Sequence, residues 1–413
     1  HSVATLDSTV KDLLKNGVPP PDVPVDDVIA AGPVVFEDNS TERETTFKYD
    51  LTTYVPMLGK VQAGGSFKIF QLDYDTLAPL GNDSPYSPEP DLDPFTIQSR
   101  FDAYQTGAYV QATGSVTSRL NVTLGGRFDH YQYIDAATFS PRAGVSFALS
   151  DAVSLRGSYG RYFQQPFFPF LAVFPENRQL EPIRADHYVA GVVWQIDELT
   201  RVLVEGYRKN YADYPVSTTI PELSLANIGD TFNVRDVLFP MSSDGYGRAH
   251  GIELSVERKP GGRWYGQANL AWSKARHAGL DGVLRPGSFD SPVVANVDGG
   301  VQLDDRWQVS SRFSFISGRP YTPFDLALSA SQRRGIYDLS QVNATRAPVY
   351  ARLDVRVERR FIVGGRPLVI FGGVQNVTNR ENVAQYAWNR RDNVQRTQTQ
   401  IGIFPIIGLD WQF

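Results

Sequence analysis

Ile406-Ile407-Gly408-Leu409-Asp410-Trp411-Gln412-Phe413 ends the chain, and its reading decides the fold. Counted back from the end, Phe413, Trp411, Leu409 and Ile407 share one face of a strand, and Gln412, Asp410 and Gly408 share the other. A soluble protein keeps its edge strands short, charged or covered, because a bare apolar edge recruits other chains. The last strand of an outer-membrane β-barrel has the opposite need, since its outer face meets lipid. An ordinary final strand of a soluble sandwich would read the same way over eight residues, so the rest of the chain has to separate the two.

The 413 residues contain no window close to the ~20 apolar residues of a membrane helix. That leaves a barrel open, because only alternate residues of a barrel strand face lipid and an apolar share of 42% is enough. The 24 Phe, 20 Tyr and 6 Trp would furnish interfacial girdles, and the 35 Gly would serve many turns. The absence of Cys fits a bacterial envelope protein that dispenses with disulfides, as well as many cytosolic ones. A net charge of -5 argues against a nucleic-acid partner. No signal peptide is legible, so an exported chain would have been processed.

Along the chain, residues 1–43 read as a loop or arm. Pro19-Pro20-Pro21, Pro24 and Pro33 break the segment, and Val10 to Leu14 offers at most one helical turn. From Glu44 onward, residues 44–413 read as strands of ten or more residues. Their connections are alternately short and long. The short ones fall at 57–60, 115–118, 150–152, 196–199, 259–262, 304–306 and 363–366, and are rich in Gly, Asp and Ser. The long ones span roughly 77–98, 165–184, 212–247, 276–290, 318–348 and 377–399; only the connection at Asp135-Ala136-Ala137 is short on that side. Short turns at one end and long loops at the other mark a barrel whose loops lie outside the cell.

Alternation within the strands supports this. Val153, Leu155 and Tyr159 oppose Ser154, Arg156 and Ser158; Ala351, Leu353, Val355 and Val357 oppose Arg352, Asp354, Arg356 and Glu358. Trp264, Ala268, Leu270 and Trp272 share a face, and the two tryptophans are eight residues apart, about 26 Å at strand rise, so that tilt sets one in each girdle. Asn121, Thr123, Arg127 and Asp129, with Asn296, Asp298 and Gln302, give further polar faces. The expected lipid face includes Val153, Leu155, Leu254, Val256, Leu270, Leu353, Val355 and Leu409. About fifteen such strands are too many for an open sheet and suit a wide barrel. The fold class is therefore all-β: an antiparallel transmembrane outer-membrane β-barrel.

The run Phe139-Ser140-Pro141-Arg142-Ala143-Gly144-Val145, followed by Leu155-Arg156-Gly157-Ser158-Tyr159-Gly160-Arg161-Tyr162-Phe163-Gln164-Gln165-Pro166, resembles the SPRxG…LRxSYGxxFxxP run of TonB-dependent outer-membrane receptors. Leu180-Glu181-Pro182 with Gly191, Gly251-Ile252-Glu253-Leu254, Gly373 to Asn379 and the terminal Phe413 resemble further motifs of that family, in its order, over roughly 100–413. The resemblance implies an energised importer in the bacterial outer membrane, whose barrel of 22 strands encloses an N-terminal plug that contacts TonB. No plug and no TonB box are legible in this chain, and about fifteen strands fall short of 22.

The sequence carries little legible catalytic or metal-binding chemistry. His1, His130, His187, His250 and His277 are scattered, with no His-Glu-x-x-His spacing, so no metal site, cofactor or catalytic residue is expected. Gly-Gly-Arg at 125–127, 261–263 and 364–366 reads as strand or hairpin turn, not as a phosphate loop. His130 beside Asp129 suggests a rim catalyst only weakly. The candidate ligand contacts are Tyr162, Phe163, Gln165, Phe167, Phe168, Phe170 and Phe174, whose rings would grip sugars or ring-bearing ligands. The bland alternative, that these rings pack the loop's own small core, weighs somewhat more. Arg333-Arg334 and Asn389-Arg390-Arg391-Asp392 are candidates for an anionic substrate or lipopolysaccharide, against solvated loop charge.

Three functions remain open: a TonB-dependent importer of a scarce solute (siderophore, oligosaccharide or peptide), a passive porin of about sixteen strands, or a structural subunit of an envelope complex. The expected partners are outer-membrane lipid and lipopolysaccharide, with TonB reached through a second chain. Parity carries that last expectation. If the final strand runs inward and there are fifteen, the first also runs inward, and residues 1–43 lie outside the cell. Seven further strands would complete 22, so a split or cleaved receptor is expected, its plug and early strands on another polypeptide.

Overall fold

The computed structural model describes residues 3–5, 34–78, 85–86, 95–228 and 239–411. Fifteen long strands form one antiparallel meander: β1 Thr41–Val55, β2 Gly59–Ala78, β3 Phe95–Ser115, β4 Leu120–Tyr131, β5 Ala136–Ala148, β6 Val153–Gln164, β7 Ile183–Gln195 and β8 Thr200–Ser217. It continues through β9 Met241–Arg258, β10 Trp264–Ala278, β11 Val293–Gln302, β12 Trp307–Ile316, β13 Tyr350–Val363, β14 Arg366–Gln375 and β15 Phe404–Trp411. Each strand pairs with the next in sequence, from β1–β2 through to β14–β15. Among the described residues no ladder joins β1 to β15, so the outer edge of each is unpaired.

Turn chemistry sets the short end. Asp197 accepts the Leu199 and Thr200 N–H at 2.8 Å, and Asp304 accepts those of Arg306 and Trp307 at 2.8 and 2.7 Å. Gly364 and Gly365 adopt φ of 61° and 78° between β13 and β14, a left-handed pair that favours glycine. The seven short turns therefore lie where the spacing places them. All odd-numbered strands from β1 to β15 run toward this end.

The ladder register shows that the expected faces are continuous around the wall. Leu254 opposes Leu270, Val256 opposes Ala268, Val297 opposes Phe313 and Leu353 opposes Phe313 from the other side. The outward set is strongly exposed, with Leu270 at 48%, Ile407 at 84% and Leu409 at 69%. Such a belt has no place in water and every place in lipid. Trp194, Trp264, Trp307 and Trp411 all stand on the outward face within two residues of the short-turn end, and Trp272 stands at the opposite margin. That is a girdle at each interface. No helix among the described residues is long and apolar enough to cross a membrane; the strands do the crossing.

The inward face is polar and internally paired. Arg127 forks onto Asp129 at 2.6 Å, Arg312 meets Asp298 at 2.6 Å, Arg352 meets Asp354 at 2.7 Å and Arg356 meets Glu358 at 3.0 Å. The apolar cores lie under the long loops instead. One gathers Leu171, Leu180, Leu223, Phe239, Met241 and Val342; the other gathers Leu72, Tyr74, Ile97 and Ala103.

Three details differ from the sequence reading. The first wall strand opens at Thr41, three residues early, because Glu42 and Arg43 already pair Leu72 and Gln71. Within 1–43, Val34–Asp38 is a strand that pairs Val3–Thr5 and the last residues of β2, Thr76 and Leu77, at the long-loop end. The turn sought at Val10 to Leu14 lies outside the described residues. The long loops also carry structure of their own: helices α1 Phe168–Val173 and α2 Leu326–Gln332, and hairpins that pair Pro320–Tyr321 with Thr345–Arg346 and Val383–Asn389 with Val394–Thr399.

Candidate functional site

A cavity of about 590 Å³ opens where the lumen meets the long loops. Asn296 of β11, Ser314 of β12 and Tyr350 of β13 form its floor on the lumen face. Its walls come from the loop after β12 and the loop after β14. The hairpin of Pro320–Tyr321 with Thr345–Arg346 carries Arg319, Tyr321 and Thr322, and the Ala347 N–H donates to the Arg319 carbonyl at 2.9 Å. Gly318 permits this fold-back: a Cβ there would stand 1.7 Å from the Ala347 carbonyl oxygen. Arg346 anchors the base, donating to the Gly318 carbonyl at 3.0 Å and pairing with the fully buried Asp290.

Aromatic rings dominate the cavity. Tyr321 and Tyr386 lie 4.6 Å apart between centroids, Tyr337 stacks on Phe324 at 5.1 Å and 15°, and Tyr86 meets Tyr337 edge-on at 5.1 Å. The Tyr86 hydroxyl donates to the Ile228 carbonyl at 2.8 Å, and Asn343 Nδ2 donates to the carbonyls of Asn227 and Pro286 at 2.9 Å each. These bonds tie four loops into one rigid frame. Burial raises the Tyr321 phenol above its ordinary value, so it remains a hydrogen-bond donor at neutral pH. Among the described residues Arg319 is the one charged side chain that lines the cavity, and none of the lining residues is acidic. Such a surface accepts a neutral or anionic ligand with flat, ring-bearing faces and hydroxyl or amide edges.

The residues singled out from sequence lie elsewhere, around α1. Phe168 packs 4.9 Å from Phe70, 6.0 Å from Tyr133 and 6.2 Å from Phe101, and Phe170 packs against the Leu171 core. The Phe170 carbonyl accepts Asn177 Nδ2 at 2.8 Å, and the Phe174 carbonyl accepts the Asn177 N–H at 3.0 Å. Tyr162 lies against His187 at 4.7 Å with Arg142 over its ring at 5.0 Å. Phe163 and Gln165 are half-buried, and Phe167 is 60% exposed. Packing thus accounts for Phe168 and Phe170, and none of the seven lines the cavity. Asp129 and His130 point to opposite faces of β4 and form no catalytic pair. Arg334 is buried on Gln332 at 2.9 Å, and Asp392 pairs with Arg396 at 2.8 Å and accepts from Asn389 at 3.1 Å. The signal for the cavity was the aromatic content of the loops after β12 and β14, Tyr321, Phe324, Tyr337, Tyr386 and Trp388, which the arginines beside them obscured.

The family model described as TonB dependent receptor-like, beta-barrel matches residues 15–377. Among solved structures, the ferripyoverdine receptor of the outer membrane of Pseudomonas aeruginosa is similar with a TM-score of 0.65 at 16% identity, over 92% of this chain and 50% of that one. The ferric-catecholate import receptor Fiu of E. coli K12 gives 0.64 at 14%, over 91% and 55%; the siderophore receptor PirA of Acinetobacter baumannii gives 0.64 at 14%, over 94% and 57%. At these identities the likeness is one of fold. The chain spans about half the length of each of these structures. No curated protein matches it by sequence. A match over most of the chain, on a wall with one lipid face and one polar face, shows that the chain belongs to the TonB-dependent receptor-like β-barrels of the Gram-negative outer membrane.

Proposed function

We propose that the chain forms most of the wall and the outer capture surface of an energised importer. The observation that supports this best is the aromatic cavity at the loop end of the lumen, without an acidic group among the described residues that line it and tied by hydrogen bonds from four loops. It would hold a scarce solute above the lumen. A metal chelate of the siderophore class is the first candidate, since the structures of similar fold are named for siderophores and Arg319 suits an anionic chelate. Oligosaccharides and peptides are the competing cargoes. Tyr162 and the exposed Phe167 would meet the solute on its way in. The remaining arc, about seven strands for a wall of 22, pairs with the bare edges of β1 and β15. Plug and TonB contact belong to polypeptide outside these fifteen strands, on a second chain if the receptor is split. Lipopolysaccharide packs against the outer half of the lipid belt.

Binding by the purified receptor, followed by quenching of intrinsic fluorescence with ferric chelates, oligosaccharides and peptides in turn, identifies the cargo. Tyr321→Ala with Tyr386→Ala lowers affinity about tenfold or more if the rings grip the ligand. Uptake by cells then stops when a protonophore collapses the inner-membrane gradient. Passage that survives the protonophore and both substitutions would establish a passive porin instead.

A further inference from the structure

At the short-turn margin of the lipid face, two arginines stand beside girdle tryptophans. Arg258 of β9 lies over the Trp264 ring at 4.6 Å, and Arg359 of β13 lies over Trp307 at 5.0 Å and Phe361 at 4.8 Å. Both face outward: Arg258 opposes Thr200 and Gly266, and Arg359 opposes Trp307 and Ile370. Their partners differ. The turn before β8 supplies Arg258 with an anion, Asp197 Oδ2 at 3.2 Å, and with the Thr200 hydroxyl at 2.5 Å. The corresponding turn carboxylate before β12 is Asp304, which caps the N–H groups of Arg306 and Trp307; it feels the Arg359 charge but forms no direct ion pair with it. Among the described residues no hydrogen-bond acceptor meets the Arg359 guanidinium; Nε is buried without a partner in both arginines, so the two differ at their terminal nitrogens alone.

We infer that Arg359 is the centre of a binding site for the phosphate of a membrane phospholipid in the inner leaflet of the outer membrane. A guanidinium held near two rings loses freedom to move, and its terminal N–H groups can hold a phosphate through two oxygens. Arg366 sits on the same face, opposite Val363, and the adjoining turn carries exposed Arg306 beside exposed Asp304 and Asp305, so three arginines, Arg306, Arg359 and Arg366, stand against two carboxylates. The site lies level with the Trp194, Trp264, Trp307 and Trp411 girdle, where headgroups meet the protein. At Arg258 the chain provides the counter-ion; at Arg359 the lipid does.

Native mass spectrometry of the full receptor in nanodiscs of dioleoyl-phosphatidylglycerol tests this, against dioleoylglycerol, which has the same chains and no phosphate. The wild type should retain one phosphatidylglycerol on release from the disc and no dioleoylglycerol. Arg359→Gln should lower that occupancy about tenfold, the loss of a charge-assisted contact, and Arg258→Gln should leave it unchanged. Added inorganic phosphate should not displace the lipid. Equal retention of the two lipids, equal retention by wild type and Arg359→Gln, or displacement by phosphate alone would each overturn the proposal. Should Arg359→Gln fail to insert, the two-lipid comparison on the wild type decides by itself.

Discussion

Placing a charge at Val355 probes the whole assignment of faces at once. Val355 lies on the outward face of β13, opposite Ser311 on one side and Val374 on the other. Four residues further along the strand, Arg359 is level with Trp307 in the girdle. At about 3.3 Å per residue and a tilt of about 40°, Val355 stands roughly 10 Å into an apolar band about 25 Å tall. An arginine there is too deep to lay its whole guanidinium among the headgroups, and the expected cost of Val355→Arg is ~2–4 kcal/mol. Equilibrium unfolding in vesicles, followed by tryptophan fluorescence, measures it. Ser255→Arg is the control, because Ser255 faces the lumen between Glu253 and Glu257 on the inward set of β9; its effect should stay within about 0.5 kcal/mol. A neutral Val355→Arg, or a Ser255→Arg that costs as much, would mean the faces are reversed or the belt does not meet lipid.

Truncation after Asp410 removes Trp411, which opposes Leu368 at the end of the last ladder, and should abolish the heat-modifiable folded band in outer membranes; a normal band would refute the closing role of this strand. Gly318→Ala drives a Cβ into the Ala347 carbonyl and should weaken ligand binding about tenfold with little change in barrel stability, whereas unchanged binding would detach the hairpin from the site. Burial between Tyr211 and Tyr214 pushes the His277 imidazole down to about 4 from 6.5, against the pull of Asp290. Its stabilising contribution is therefore complete above pH 6.5 and is lost as pH falls toward 4, so the loops should become protease-sensitive over that range. His277→Gln should flatten the profile, and identical acid sensitivity in both proteins would remove His277 as the cause.

The wall was legible because the pleat forces period two. Once Ile407, Leu409 and Trp411 share a face, their partners Gly372, Ile370 and Leu368 must share it too, and the pattern propagates strand by strand. Turn residues such as Asp197 and Asp304 then fix where the strands end. The cavity was not legible for the opposite reason. Tyr86, Asn227, Tyr321 with Asn343, and Tyr386 come from four separate loops, and no local period relates them. The run from Tyr162 to Phe174 drew notice because its aromatics are adjacent in sequence. Adjacency favoured packing, since Phe168 needs only Phe70, Phe101 and Tyr133 to be buried. Dispersed rings held by inter-loop hydrogen bonds left no comparable trace.

Every wall ladder joins strands that are neighbours in sequence, and this bears on how the chain folds. The hairpins joined by the seven short turns each close a small loop, so their entropic cost is small and is repaid at once by their own ladders. Low contact order of this kind favours rapid growth from any hairpin already formed. In the proposed wall of 22 strands the expensive step is left to one place: joining the bare edges of β1 and β15 to the remaining arc. Factors that catalyse assembly would therefore act most usefully on those two edges, and substitutions there should slow folding far more than substitutions in the middle of the wall.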